Sequence, residues 1–218
     1  MDGYVSEEQQ VEQIKKWWAR NGRGVMSGVA IGLAVFFGGR YWLDRQAAQT
    51  ETASVLYAGV LNAVREGDAG VADRGVRQLL ELNADGEYAS LGSLLLARLK
   101  ADQGDLDGAQ AHLQWVVQNS SQQGLKTLAR LRLARILLAQ GRTDEAEAQL
   151  VNEGQGGFSA LFDELRGDIL LARQDFDGAR KAYARALEAT EGKQRWLRMK
   201  HDDLTPPGTV QPDAGAEG

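Results

Sequence analysis

Three scarcities narrow this chain before any motif is read. Cysteine is absent from the 218 residues, which removes disulfide frameworks, thiolate metal sites and a cysteine nucleophile. Proline occurs only at Pro206, Pro207 and Pro212, so the preceding chain lacks the residue that breaks helices most firmly. Histidine occurs only at His112 and His201. His112 falls in an expected helix and reads as a packed or solvated side chain. No metal-ligand spacing, phosphate loop or nucleophile elbow is present. The adjacent pairs Asp163/Glu164 and Asp202/Asp203 point apart on a helix and read as solvated surface charge. Enzyme chemistry, a cofactor, a metal and a small-molecule substrate are therefore not expected. Nucleic acid is disfavoured too: the net charge is −5, and an acidic surface repels phosphate.

Charge is also missing from one particular stretch, Gly24 to Gly39, bounded by Arg23 and Arg40. As a helix this run is about 24 Å long, somewhat less than the roughly 30 Å of bilayer hydrocarbon. Trp17 and Trp18 before it and Tyr41 and Trp42 after it extend the apolar length. Trp18 to Trp42 spans about 36 Å, enough to place an aromatic ring at each headgroup layer. We expect a transmembrane helix over 22–43. A soluble core helix would show a polar stripe, and this run shows none. A cleaved signal would need a small-residue cleavage site, whereas Arg-Tyr-Trp-Leu-Asp-Arg follows. Lys15, Lys16, Arg20 and Arg23 on one side outnumber Arg40 and Arg45 on the other, which orients the N-terminus inward. Gly24, Gly28 and Gly32 share one helix face and are expected to admit a second helix closely, although glycine is common in membrane helices generally. Residues 1–21 form a polar cytoplasmic segment, either an amphipathic lead-in or a plain extension of the helix.

After Arg45 the chain turns to Ala, Leu, Gln, Arg and Glu, punctuated at 65–68, 83–86, 102–105, 119–124, 140–144, 152–157 and 173–175. Gly ends helices in the left-handed conformation, and Asp or Thr caps the next. Ala97, Ala134 and Gly167 recur at intervals of 37 and 33 residues; Ala109, Ala146 and Ala179 repeat the offsets, as do Leu113, Leu150 and Tyr183. Small residues recur where paired helices touch, and large ones fill the seam. The pattern resembles the tetratricopeptide repeat, although the usual closing proline is missing and Gln174 stands in place of a turn glycine. A degenerate pair is expected over 47–83, and a capping helix over 194–204. The fold class expected is all-α: an N-terminal transmembrane helix, then a tetratricopeptide-repeat-like solenoid over 46–204. Residues 205–218 read as a disordered tail.

Repeats of this kind present a concave surface to peptides. Arg98, Arg135 and Asp168 each follow the repeated small residue, with Leu94 and Leu131 one turn earlier. They form a candidate peptide groove, unless those charges pair with each other or with water. The lead-in Gln-Val-Glu-Gln-Ile-Lys-Lys-Trp-Trp-Ala-Arg-Asn-Gly at 10–22, the Gly-rich span, Gly-Arg-Tyr-Trp at 39–42, Leu-Arg-Leu-Ala-Arg at 131–135, Glu-Leu-Arg-Gly-Asp at 164–168 and Met-Lys at 199–200 together resemble the YfgM family. That resemblance implies an ancillary subunit of the SecYEG translocon, anchored in the bacterial inner membrane with its repeats in the periplasm. It implies PpiD as partner and assistance to newly exported proteins as the role. A structural scaffold of an envelope complex, without client contact, is the alternative.

Overall fold

In the computed structural model the described residues are 7–83, 86–150 and 156–204, and among them all regular structure is helical. The expected tail over 205–218 lies outside them. The helices are α1 (Glu7–Glu66), α2 (Ala69–Leu82), α3 (Glu87–Asp102), α4 (Leu106–Asn119), α5 (Gln123–Ala139), α6 (Thr143–Ala148), α7 (Ser159–Ala172), α8 (Phe176–Ala189) and α9 (Arg195–Asp202), with a 3-10 turn at Gly156–Phe158 before α7. The chain divides into two compact units, one to Thr52 and one from Ala53.

The first unit holds the apolar part of α1. Ile31, Val35 and Phe37 are 65%, 70% and 63% exposed, so water is an unfavourable surrounding for this surface. Its single hydroxyl between Gly24 and Gly39 is satisfied within the helix: Ser27 Oγ donates to the Gly24 carbonyl at 3.0 Å. Internal satisfaction of this kind is what a hydrocarbon environment requires.

The second unit is built from helix pairs that meet through a repeated turn. Gly67, Gly104 and Gly141 have φ of 76°, 84° and 76°, and Gln174 takes 64°. Only glycine enters this region without steric cost, so Gln174 carries about 1 kcal/mol of strain. The turns are evenly placed: 67 to 104 and 104 to 141 are both 37 residues, and 141 to 174 is 33. The pair expected over 47–83 thus belongs to the same register, with Ala72 (0% exposed) in the place of Ala109, Ala146 and Ala179. After three of the turns an aspartate caps the next helix. Asp68, Asp105 and Asp175 each accept the backbone N–H three residues on at 2.9 Å, satisfying a donor the helix leaves open.

The residue before each of the last three turns reaches back to the preceding pair. Gln103 Nε2 donates to the Gly67 carbonyl at 2.8 Å, Gln140 Nε2 to Asp107 at 2.9 Å, and Arg173 Nη2 to Asp144 at 2.6 Å. The contact recurs while the chemistry differs, so composition alone conceals it.

Among the described residues three apolar clusters run along the stack. One joins the end of α1 with α2 and α3 through Val60, Val76, Leu79 and Leu96. The next links α3 to α7 through Leu113, Leu131, Phe162 and Ile169. The last seals α8 and α9 through Tyr183, Ala186 and Leu197. Trp115 packs against the first two. Leu197, 1% exposed, is the residue through which α9 caps the stack.

The third repeat exchanges volumes. Where the other copies pair Ala97 with Leu113 and Ala134 with Leu150, this one pairs Gly167 with Tyr183. A Cβ on Gly167 would lie 2.4 Å from Tyr183 Cε1, closer than any real carbon contact. The glycine here makes room for a ring.

Candidate functional site

The groove forms where α3 and α5 lie side by side. A cavity of about 380 Å³ is lined by Ala97, Arg98, Ala101, Asp102, Leu113, Arg132, Arg135 and Ile136. Arg98 and Arg135 come together here. Leu94 and Leu131 do not line it: they are 3% and 1% exposed and belong to the core. Their placement in a groove is corrected by the packing of α5 on α3 at that turn, where Arg132 Nη1 donates to the Leu94 carbonyl at 3.3 Å. Arg132 was not singled out from sequence as a groove residue. It lies one turn before Arg135, so helical spacing alone carries the signal.

The electrostatics of the groove are cationic. Arg98 pairs with Asp102 at 3.6 Å, both side chains well exposed. Arg135 approaches Glu164 at 3.8 Å, too far for a hydrogen bond. Arg132 meets a neutral carbonyl. Burial, followed by the neighbouring charges of Arg98 and Arg135, pushes the Arg132 guanidinium below its ordinary value, although arginine stays charged at any physiological pH.

Asp168 does not join this ladder. It faces α8 and α9, accepting from Tyr183 Oη at 2.7 Å and from Lys200 Nζ at 2.7 and 3.0 Å. Lys200 also donates to Glu164 Oε1 at 3.0 Å and lies 5.7 and 5.4 Å from the ring centroids of Tyr183 and Trp196. Glu164 is 6% exposed, which overturns its reading as surface charge. Its place one turn before Asp168 puts both carboxylates on the face that α9 covers. Asp163 is held by Arg166 and Arg185, each at 3.1 Å. Burial alone would lower the Lys200 pKa; bonds to Asp168 and Glu164 outweigh it and raise the value. Burial, then the bond to Asp168, pushes the Tyr183 phenol well up, so it remains a donor.

His112 on α4 lies 3.7 Å from Asp73 on α2. Burial lowers its pKa, and Asp73 only partly restores it. The folded chain therefore holds His112 neutral where an unfolded chain begins to bind a proton, near pH 6.5. Stability falls as pH drops below that value toward the depressed folded pKa. Comparing melting temperatures of wild type and His112→Gln between pH 7.5 and 5.5 checks this: the wild type should lose more. Parallel pH curves for the two would sink it.

In the first unit, Trp17, Trp18, Tyr41 and Trp42 are 54%, 51%, 66% and 63% exposed. Arg45 Nη1 donates to Tyr41 Oη at 3.4 Å. A Cβ on Gly24, Gly28 or Gly32 would meet nothing within 4 Å, so the small-residue strip is uncovered. One described helix is long and apolar enough to cross a membrane.

Against known proteins, the tetratricopeptide repeat-like domain family matches residues 15–206. The ancillary SecYEG translocon subunit of Escherichia coli K12 is 31% identical over 207 residues, covering 94% of this chain and all of that one. Its namesakes from Haemophilus influenzae and Neisseria gonorrhoeae are 28% and 26% identical, over 92% and 94% of this chain and 98% and 100% of theirs. Among solved structures, Pseudomonas aeruginosa pilF superposes with a TM-score of 0.59 at 16% identity, over 72% of this chain and 69% of its own. BtubC from P. vanneervenii does so with 0.57 at 19% identity, over 87% and 82%. At those identities the two structures support the fold alone. The repeat register, the apolar span and near-complete coverage of these relatives agree, and the chain belongs to the family of ancillary SecYEG translocon subunits, with a tetratricopeptide repeat-like domain.

Proposed function

We propose that this chain is a single-pass inner-membrane protein that serves beside the SecYEG translocon as a non-catalytic protein-binding module. Its span over about 22–43 anchors it, its N-terminus faces the cytoplasm, and its repeat domain stands in the periplasm. There it acts with the chaperone PpiD on newly exported proteins. The observation that carries this reading is one chain holding both an uncovered apolar helix and a repeat solenoid with a cationic groove, in a family named for the translocon. Van der Waals packing against a bare glycine strip is a principal means by which a membrane helix holds a partner. The face of Gly24, Gly28 and Gly32 is thus the proposed contact with a translocon helix.

The test is co-purification from detergent-solubilised membranes. The full chain should retain SecYEG components, and the chain lacking residues 1–45 should lose most of them. Gly28→Leu with Gly32→Leu should weaken retention about tenfold, the scale of a coupling of 1.4 kcal/mol. Undiminished retention by that double variant would remove the glycine face from the account. Crosslinking from Arg98 or Arg135 positions then separates client binding from scaffolding: many exported chains are expected, and capture of one fixed envelope protein would favour the scaffold.

A further inference from the structure

We propose that the cavity between α3 and α5 is a carboxylate receptor, and that its occupant is an acidic segment of a partner protein, with a Glu or Asp flanked by apolar residues. The proposal rests on reading the domain as a protein-binding module and names what its groove grips.

Several arginines of this chain are held by close carboxylates. Arg142 is held by Glu145, Arg173 by Asp144 and Glu147, Arg180 by Asp177, and Arg185 by Asp163. In an acidic domain with 19 Lys/Arg against 25 Asp/Glu after residue 45, carboxylates are abundant enough to pair with most cations. Around the cavity the carboxylate contacts are longer and fewer. Three guanidinium groups line it with a single carboxylate, Asp102, which Arg98 engages at 3.6 Å. Arg135 has its acidic neighbour at 3.8 Å, and Arg132 meets a carbonyl oxygen. Three like charges on two adjacent helices repel one another, and an entering anion relieves that repulsion.

Shape points to a carboxylate on a peptide. The guanidinium fork matches a carboxylate in two parallel bonds. Leu113 and Ile136 on the wall supply an apolar surface against which a flanking aliphatic side chain can rest. A small free anion would leave that surface wet. About 380 Å³ admits side chains and excludes a folded domain, which requires the occupant to be an extended segment or a projecting turn.

The experiment uses the full chain in detergent micelles. A fluorescein-labelled decapeptide centred on Leu-Glu-Leu-Glu is compared with its Leu-Gln-Leu-Gln and Leu-Lys-Leu-Lys counterparts by anisotropy. The acidic peptide should bind at least about tenfold more tightly than the neutral one, with an advantage that shrinks as salt rises. Arg98→Gln with Arg135→Gln, both exposed, should abolish the advantage while leaving the circular dichroism spectrum intact. Arg132→Lys, which keeps the charge and loses the fork, should retain only part of it. Equal binding of acidic and neutral peptides would overturn the proposal. So would acid preference that survives the double variant, or arginine-dependent binding to phosphatidylglycerol vesicles with no peptide preference. Translocon retention, read on the same variants, separates the two readings. Loss of acid preference with retention intact removes the pocket alone. Intact preference without retention removes the translocon role alone.

Discussion

Gly167→Ala should lower the stability of the repeat domain by about 2 kcal/mol, a methyl group being enough to overfill this seam. The added Cβ would fall 2.4 and 2.5 Å from two carbons of the Tyr183 ring. The ring has nowhere to go: Tyr183 is fully buried, and its hydroxyl is fixed at 2.7 Å from Asp168. The better helix propensity of alanine, worth roughly 1 kcal/mol over glycine, offsets only part of the clash. Adding Tyr183→Leu to the same chain recreates the pairing of Ala97 with Leu113 and of Ala134 with Leu150. The second change should cost less in the Gly167→Ala background than in wild type, with a coupling of at least about 1 kcal/mol. Urea unfolding of the full chain in micelles, followed by circular dichroism, measures all four corners of the cycle. Additive losses would mean that the two positions do not share one seam.

Lys200→Met should cost about 2 kcal/mol, less than breaking a fully buried ion pair, because the lysine is partly solvated. Its side chain is 36% exposed, whereas those of Glu164 and Asp168 are 8% and 24% exposed. Without the ammonium two carboxylates stay under α9 with less to compensate them. Burial disfavours the charged lysine, and the two acids more than reverse this, so its pKa is raised on folding. The stabilisation from a raised lysine is complete below the ordinary value near 10.4 and is lost as pH climbs through the folded value. The deficit of Lys200→Met should therefore hold steady from pH 6 to 9 and narrow only in strong alkali. In a cycle with Asp168→Asn the double variant should lose less than the sum of the single ones. A deficit that vanished already at pH 8 would place Lys200 outside the network.

The network also bears on the groove. Arg135 lines the cavity and lies 3.8 Å from Glu164, whose other oxygen receives Lys200. The cap helix and the cationic cavity thus share one buried carboxylate.

How much of this was readable in the chain follows from the range of the forces involved. Helix ends are decided locally. Gly67, Gly104 and Gly141 supply left-handed turns, and Asp68, Asp105 and Asp175 supply caps. Each needs only a few neighbouring residues, so the expected breaks at 65–68, 102–105, 140–144 and 173–175 fall where helices end. The repeat period is equally local in origin, because the paired small and large residues of one seam lie 16 positions apart. The pair expected over 47–83 reads as degenerate because Val60 stands where the later copies have a small residue; there the room is made instead by Gly75, whose Cβ would lie 2.6 Å from Val60 Cγ2.

By itself, then, the sequence determined the all-helical class, the apolar span, the turn positions and the repeat, since periodicity and steric limits on the backbone act along the chain. Tertiary structure alone decided which charges are buried and which residues meet. It put Leu94 and Leu131 into the core, brought Arg132 into one cavity with Arg98 and Arg135, and turned Asp168 toward Lys200, 32 residues away. Adjacent repeats share a pattern but not their neighbours: α7 lies beneath α9, whereas α3 is followed by further repeats. Equivalent positions therefore meet different surroundings, and the desolvation that separates a groove residue from a core residue is a property of those surroundings.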